Sequence, residues 1–150
     1  MAMKRSFILI FAVLCGMVSA FAGANDIVGI WMDDEKEGKT EYYMADDGKF
    51  HANCVWLAKN KEKDGSPLKD KKNPDKTKRQ RAVVGTEVMI VSYEPEKNRY
   101  KMDWAYDPSW GLAVKNSGYI TIKGDTMTIK AGWAFIKVTR KMTRCQSIDD

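Results

Sequence analysis

Residues 119–130 read Tyr-Ile-Thr-Ile-Lys-Gly-Asp-Thr-Met-Thr-Ile-Lys. Apolar and polar side chains alternate on both sides of Gly124-Asp125, a pair that tolerates positive φ. This pattern predicts a two-residue β-hairpin joining Tyr119–Lys123 to Thr126–Lys130. The same grammar extends in both directions. Downstream, one strand is expected over Ala134–Thr143. Upstream, strands are expected over Leu112–Val114, Arg99–Tyr106, Thr86–Glu94, Lys49–Leu57, Lys39–Ala45 and Asp26–Met32. Asp107-Pro108-Ser109-Trp110-Gly111, Pro95 with Asn98, and Asp46-Asp47-Gly48 supply the turns between them. Helical periodicity is nearly missing from this region. About nine short strands in sequential hairpins imply an antiparallel barrel or sandwich.

The chain has 150 residues, 44% of them apolar and 30% charged, with a net charge of +5. That length suits one domain and excludes two full cores. The near-average composition excludes collagen, coiled coil and wholesale disorder.

The first 24 residues have a different organisation. Lys4 and Arg5 precede an apolar run from Phe7 to Val18, followed by the small residues Ser19, Ala20, Ala22, Gly23 and Ala24. This is the layout of a cleavable signal peptide, and the run is too short to span a ~30 Å hydrocarbon core. Cleavage is expected after Ala22 or Ala24, with Ala24 preferred, leaving residues 25–150 as a periplasmic or secreted domain. Cys15 lies within the apolar run, so lipid anchoring through it would require cutting that run short. Two cysteines remain, Cys54 and Cys145. An oxidising compartment permits a disulfide between them; the alternative is a buried Cys54 and a loose Cys145.

The long connection after the third strand is basic. From Lys59 to Arg81 there are ten Lys/Arg and four Asp/Glu, so positive charge is concentrated in this segment. It is either a solvated loop or a contact for an anionic envelope component such as acidic lipid headgroups. It lacks the interleaved aromatics of a nucleic-acid surface, and export argues against nucleic acid as a partner. Val88-Met89-Ile90-Val91 is apolar on both faces, which calls for cover by the long loop or by a second copy in a homodimer. Trp133 and Phe135 form another candidate contact patch.

The sequence offers no catalytic apparatus. His51 is the only histidine, so multi-histidine metal sites are out and a triad has one expected location, mid-strand. There is no phosphate-cradling glycine loop and no distinctive carboxylate pair. Neither a cofactor nor a metal is expected.

Gly29-Ile30-Trp31 lies in the first strand, and Arg140 and Arg144 in or just after the last. In a closed barrel those strands are neighbours, so one of the arginines can cover the Trp31 indole and plug one end. This arrangement resembles the Gly-x-Trp and closing arginine of the lipocalin and wider calycin group.

A second resemblance runs through nearly all of residues 25–150. It comprises Asp26-Ile27-Val28-Gly29-Ile30-Trp31, Val55-Trp56-Leu57, Asp64-Gly65-Ser66-Pro67, Asp70, Asn73-Pro74-Asp75, Val84-Gly85, Tyr106-Asp107-Pro108 with Gly111, and Thr143-Arg144. The chain resembles the bacterial family called domain of unknown function 2147. That resemblance implies an exported, lipocalin-like antiparallel barrel of about 8–10 strands with no established activity. Leu112-Ala113-Val114, Ala52-Asn53-Cys54 and Met142 depart from the family's usual residues.

The expected function is therefore that of a non-enzymatic barrel holding a small apolar or amphipathic ligand. Trp31, Trp56, Tyr106, Arg140 and Arg144 are the candidate cavity or barrel-end residues. Asn73, Pro74, Asp75, Asp107, Pro108 and Gly111 are read as a loop and turn motif, with ligand contact as the alternative. The competing reading is an envelope interaction protein whose barrel is filled by its own side chains.

Overall fold

A computed structural model describes residues 23–150, and of Trp133 only the backbone. The expected leader, with Cys15, lies outside the described residues, except for Gly23 and Ala24 at its end. The strands are β1 (Gly29–Asp33), β2 (Gly38–Met44), β3 (Phe50–Leu57), β4 (Glu87–Glu94), β5 (Arg99–Asp107), β6 (Leu112–Lys123), β7 (Thr126–Trp133) and β8 (Ile136–Cys145). Each pairs antiparallel with the next, and β8 pairs back onto β1. The sheet is a closed up-and-down barrel, which leaves no sheet edge open.

Eight strands stand where the sequence pattern suggested nine. Leu112–Val114 and Tyr119–Lys123 are two halves of β6, separated by an irregularity rather than a break. Asn116 takes φ 49°, and the register with β5 shifts between Met102 and Trp104. Such a bulge bends a strand without ending it. At the N-terminal side, Asn25–Ile27 form a 3-10 turn, and β1 begins only at Gly29. Ala134 belongs to the β7–β8 turn with φ 52°, so β8 starts at Ile136.

The turns divide the barrel into two ends. The β2–β3, β4–β5 and β6–β7 turns share one end with the N-terminal 3-10 turn. The β1–β2, β5–β6 and β7–β8 turns share the other end with the long basic segment, residues 58–86. The first end is filled. Trp31, Tyr42, Phe50, Val91, Tyr100, Ile120 and Met127 pack there, all nearly inaccessible to solvent, with Ile27 beneath them. The Trp31 Nε1 donates to the Ile27 carbonyl at 2.8 Å, and the Ile27 amide donates to the Tyr100 hydroxyl at 3.2 Å. The tyrosine oxygen lies 2.8 Å from both the Gly23 and Ala24 carbonyls and donates its proton to one of them.

The basic segment is an ordered strap. Leu68 accepts from Val83, Asn60 accepts from Leu68, and the Cys54 backbone exchanges hydrogen bonds with Thr86 and Gly85. Its anchor is Asp70, which is fully buried. Asp70 accepts from the Tyr106 hydroxyl, from Asn73 Nδ2 at 2.8 Å, and from Arg81 Nη2 at 3.2 Å. Three donors satisfy a carboxylate that would be costly to bury bare.

Candidate functional site

Above the filled floor the barrel is hollow. A cavity of about 1310 Å³ opens between the strap and the β1–β2, β5–β6 and β7–β8 turns. Its wall includes Leu57, Met89, Met102, Ala105, Ile129 and Val138. Pairing parity explains why these side chains point inward. Ile129 lies opposite the buried Ile120, Met89 opposite Ala52, and Ala131 opposite Val138. The volume exceeds what a drug-sized ligand usually occupies.

Polar atoms in this wall are few. The Tyr42 hydroxyl has a thioether for a partner, Met89 Sδ at 3.4 Å, and burial raises its pKa. The Ser117 hydroxyl is buried in the cavity wall and, among the described residues, has no hydrogen-bond partner. Arg140 also lines the cavity. It occupies the inward row of β8, between Met142 and Val138, and faces Ile129 across the β7–β8 ladder.

The two candidate arginines therefore part ways. Arg144 pairs with Trp31 in register and places its guanidinium 4.2 Å from the indole centroid. It also donates to the carbonyls of Val28 at 2.9 Å and Asp26 at 2.6 Å, and its Nε is 3.3 Å from Asp125. Together these contacts close the floor. Arg140 belongs to the hollow.

The remaining candidates are distributed differently from the sequence expectation. Trp56 is outside the barrel. Strict alternation would put it inward with Cys54, but a bulge passes Val55 and pairs Trp56 with the outward Lys39. There the Lys39 ammonium lies 5.5 Å from the Trp56 ring and donates to the carbonyls of Ser147, Ile148 and Asp150. Tyr106 borders the cavity, but its hydroxyl is committed to Asp70. Burial, reinforced by that hydrogen bond, pushes its pKa up to about 12.

Asn73 bonds Asp70 and the Asp75 amide, and Asp75 caps the 3-10 turn Lys76–Lys78 with Pro74 between the two. Asp107 caps its own turn by accepting from Ser109, ahead of Pro108. Gly111, at φ 63°, lies so close to the strap that a Cβ there would overlap the Lys72 carbonyl. Asn73 and Asp75 thus order the strap, Asp107 orders the turn, and Gly111 lets the two approach, where Lys72 Nζ donates to the Ser109 carbonyl at 2.6 Å.

Cys54 and Cys145 are both free. They stand on β3 and β8, three strand spacings apart through β2 and β1, or about 14 Å along the sheet. Cys54 points inward with Ala52, whereas Cys145 follows the inward Arg144 and points outward. No bridge can span that separation. Burial raises the Cys54 thiol to about 11, which makes it inert at neutral pH.

His51 lies on the outer face. Its Nε2 is 2.9 Å from Asp47 and its Nδ1 is 3.2 Å from Glu87. On the same face, Ile90 is half-buried beside Trp104, its partner across the β4–β5 ladder. Phe135 is fully exposed at the β7–β8 tip. Trp133, its expected companion, has no described side chain.

Sequence reading missed the anchoring role of Asp70, and it did not single out Arg81, Lys39, Tyr42, Tyr100 or Ser117. Asp70 was marked only by the family resemblance, which gave it no role. Nothing in the sequence marked the others, because their roles depend on barrel register.

Residues 29–144 match the bacterial family described as "Uncharacterized protein conserved in bacteria (DUF2147)". No curated protein matches the chain. Among solved structures, the chain is similar to one described as "Protein HP1028 from the human pathogen Helicobacter pylori belongs to the lipocalin family". The TM-score is 0.61 at 20% sequence identity, covering 83% of this chain and 86% of that one. That degree of likeness establishes a shared fold.

Proposed function

We propose that this chain, which belongs to the DUF2147 family, is an exported, non-enzymatic barrel that carries a small apolar or amphipathic molecule in its interior. The observation that carries the reading is the division of the barrel. Large side chains fill one half, while the other keeps a mostly apolar hollow of about 1310 Å³. A protein that used its barrel only as a scaffold would gain stability by filling that space, because voids forfeit dispersion contacts.

Native mass spectrometry of protein purified from its own envelope tests carriage. The expected result is a bound small molecule released on activation. A bare mass, together with failure to bind any apolar fluorophore, would overturn the proposal.

Export rests on Lys4, Arg5 and the apolar run Phe7–Val18. Of the two cleavage sites, the one after Ala22 retains Gly23 and Ala24, whose carbonyls flank the Tyr100 hydroxyl. That contact favours a mature chain beginning at Gly23. Intact mass of periplasmic protein decides between Gly23 and Asn25 as the first residue.

A second reading adds to the first. Lys59, Lys69, Lys71 and Lys72 of the strap line the hollow with the exposed Trp110 and Leu112, and Phe135 is exposed at the β7–β8 turn. Cations around protruding apolar tips suit approach to an anionic lipid surface. Sedimentation with phosphatidylglycerol vesicles, lost in high salt or with phosphatidylcholine, is the expected behaviour. Equal binding to both lipids would remove the electrostatic part.

A further inference from the structure

The inward row of β8 runs from floor to mouth as Arg144, Met142, Arg140, Val138 and Ile136. Arg144 is consumed by the floor, and Met142 belongs to the core. Arg140 is thus the first inward position above the packed floor, and every inward position beyond it on this strand is apolar.

Arg140 is exposed to the hollow, next to Val138 and Met142 in the inward row and opposite Ile129. Among the described residues, no carboxylate lies within ion-pair distance of Arg140, and its side chain has no hydrogen-bond acceptor. Asp33, the inward acid of the adjacent β1, sits opposite Met142 and accepts from the Glu37 amide at 2.9 Å. Two further donors in the same wall are poorly employed. Tyr42 has only the Met89 sulfur to bond, and the Ser117 hydroxyl has no partner. Among the described residues, a cation without a partner and two underused hydroxyls line one hollow.

From this juxtaposition, which rests on the carrier reading, we infer that the ligand is a single-chain carboxylate whose head Arg140 receives at the foot of the cavity. The tail then runs outward along Val138 and Ile136 to the apolar rim at Leu112. Arginine suits this task because its planar fork matches a carboxylate bidentately and keeps its charge at any working pH. A bound tail along Val138 and Ile136 would displace water from the pair and strengthen it.

The test uses the mature protein with a fluorescent polyene fatty acid and, separately, its methyl ester. The two probes share a tail and differ in head charge. Wild type is expected to bind the acid at least tenfold more tightly than the ester. Arg140→Gln should weaken acid binding by about 10- to 100-fold and leave the ester unchanged. Its melting temperature should stay at the wild-type value, because Arg140 is exposed and holds nothing in place. Arg140→Glu should reverse the preference in favour of a long-chain alkylammonium. Equal binding of acid and ester by wild type would overturn the head-group assignment and leave carriage standing. Undiminished acid affinity in Arg140→Gln would do the same. Binding of neither probe by wild type would overturn carriage itself, and this inference with it.

Discussion

Two side chains decide how the barrel is shut. Arg144 stacks on Trp31 and ties two carbonyls of the N-terminal turn, so one guanidinium joins the first strand, the last strand and the plug beneath them. A partly desolvated cation–π contact and charge-assisted hydrogen bonds are each worth about 1–2 kcal/mol. Arg144→Ala is therefore expected to cost roughly 3 kcal/mol in urea unfolding. Arg144→Lys should fall between, since an ammonium cannot stack flat while reaching both carbonyls. A loss below about 0.5 kcal/mol, typical of a neutral surface change, would show that the floor does not need this residue.

His51 permits a prediction of the opposite kind, in pH. Partial burial pulls its pKa down, but the hydrogen bonds to Asp47 and Glu87 together outweigh that and leave it raised. The folded protein then binds the proton more tightly than the unfolded chain. This stabilisation is complete below the unfolded value of about 6.5 and fades as pH rises through the raised folded value. His51→Gln should lower the urea midpoint more at pH 6 than well above the raised folded pKa. An equal loss at both pH values would contradict the assignment. At this scale sequence reading reached a limit: Arg140 and Arg144 are one helical turn apart in name but two inward steps apart in a strand. Only the register with Trp31 tells plug from pocket.

Among the elements, the strap is the departure from simple hairpin grammar. Ten basic residues suggested a solvated loop, yet the segment is held by a buried acid. Asp70→Ala would strand the Tyr106 hydroxyl, Asn73 and Arg81 at once, at an expected cost of about 3 kcal/mol. Because the strap is rich in trypsin sites, the variant should be cut within residues 58–86 well before the barrel unfolds. Tyr106→Phe removes one donor of three and should cost only about 1 kcal/mol. If Asp70→Ala resists trypsin as wild type does, the anchor lies elsewhere.

The tight turns were legible because Asp47-Gly48, Pro95 to Asn98 and Gly124-Asp125 carry their own conformational preference. The bulges were not. One at Asn116 fused two expected strands, and one at Val55 turned Trp56 outward. A bulge reverses every later inside/outside assignment on its strand, and it is specified by the partner strand rather than by local composition.

On the scale of the whole molecule, the barrel separates stability from capacity. The floor should obey core rules: Ile120→Ala, at a fully buried position, is expected to cost about 2–5 kcal/mol while leaving probe binding intact in the folded fraction. The wall should behave in the opposite way. Val138→Trp projects bulk into the hollow from a position 40% exposed, so probe affinity should drop while the melting temperature holds. If both variants lost stability and binding together, the two halves would be one cooperative core.

Sealing one end also has a kinetic consequence. A vessel sealed at its floor cannot be emptied through it, so what enters head first from the opposite end leaves tail first. Hand-over then requires that end to face the acceptor. Delivery would slow when that face is blocked, however weak the grip inside.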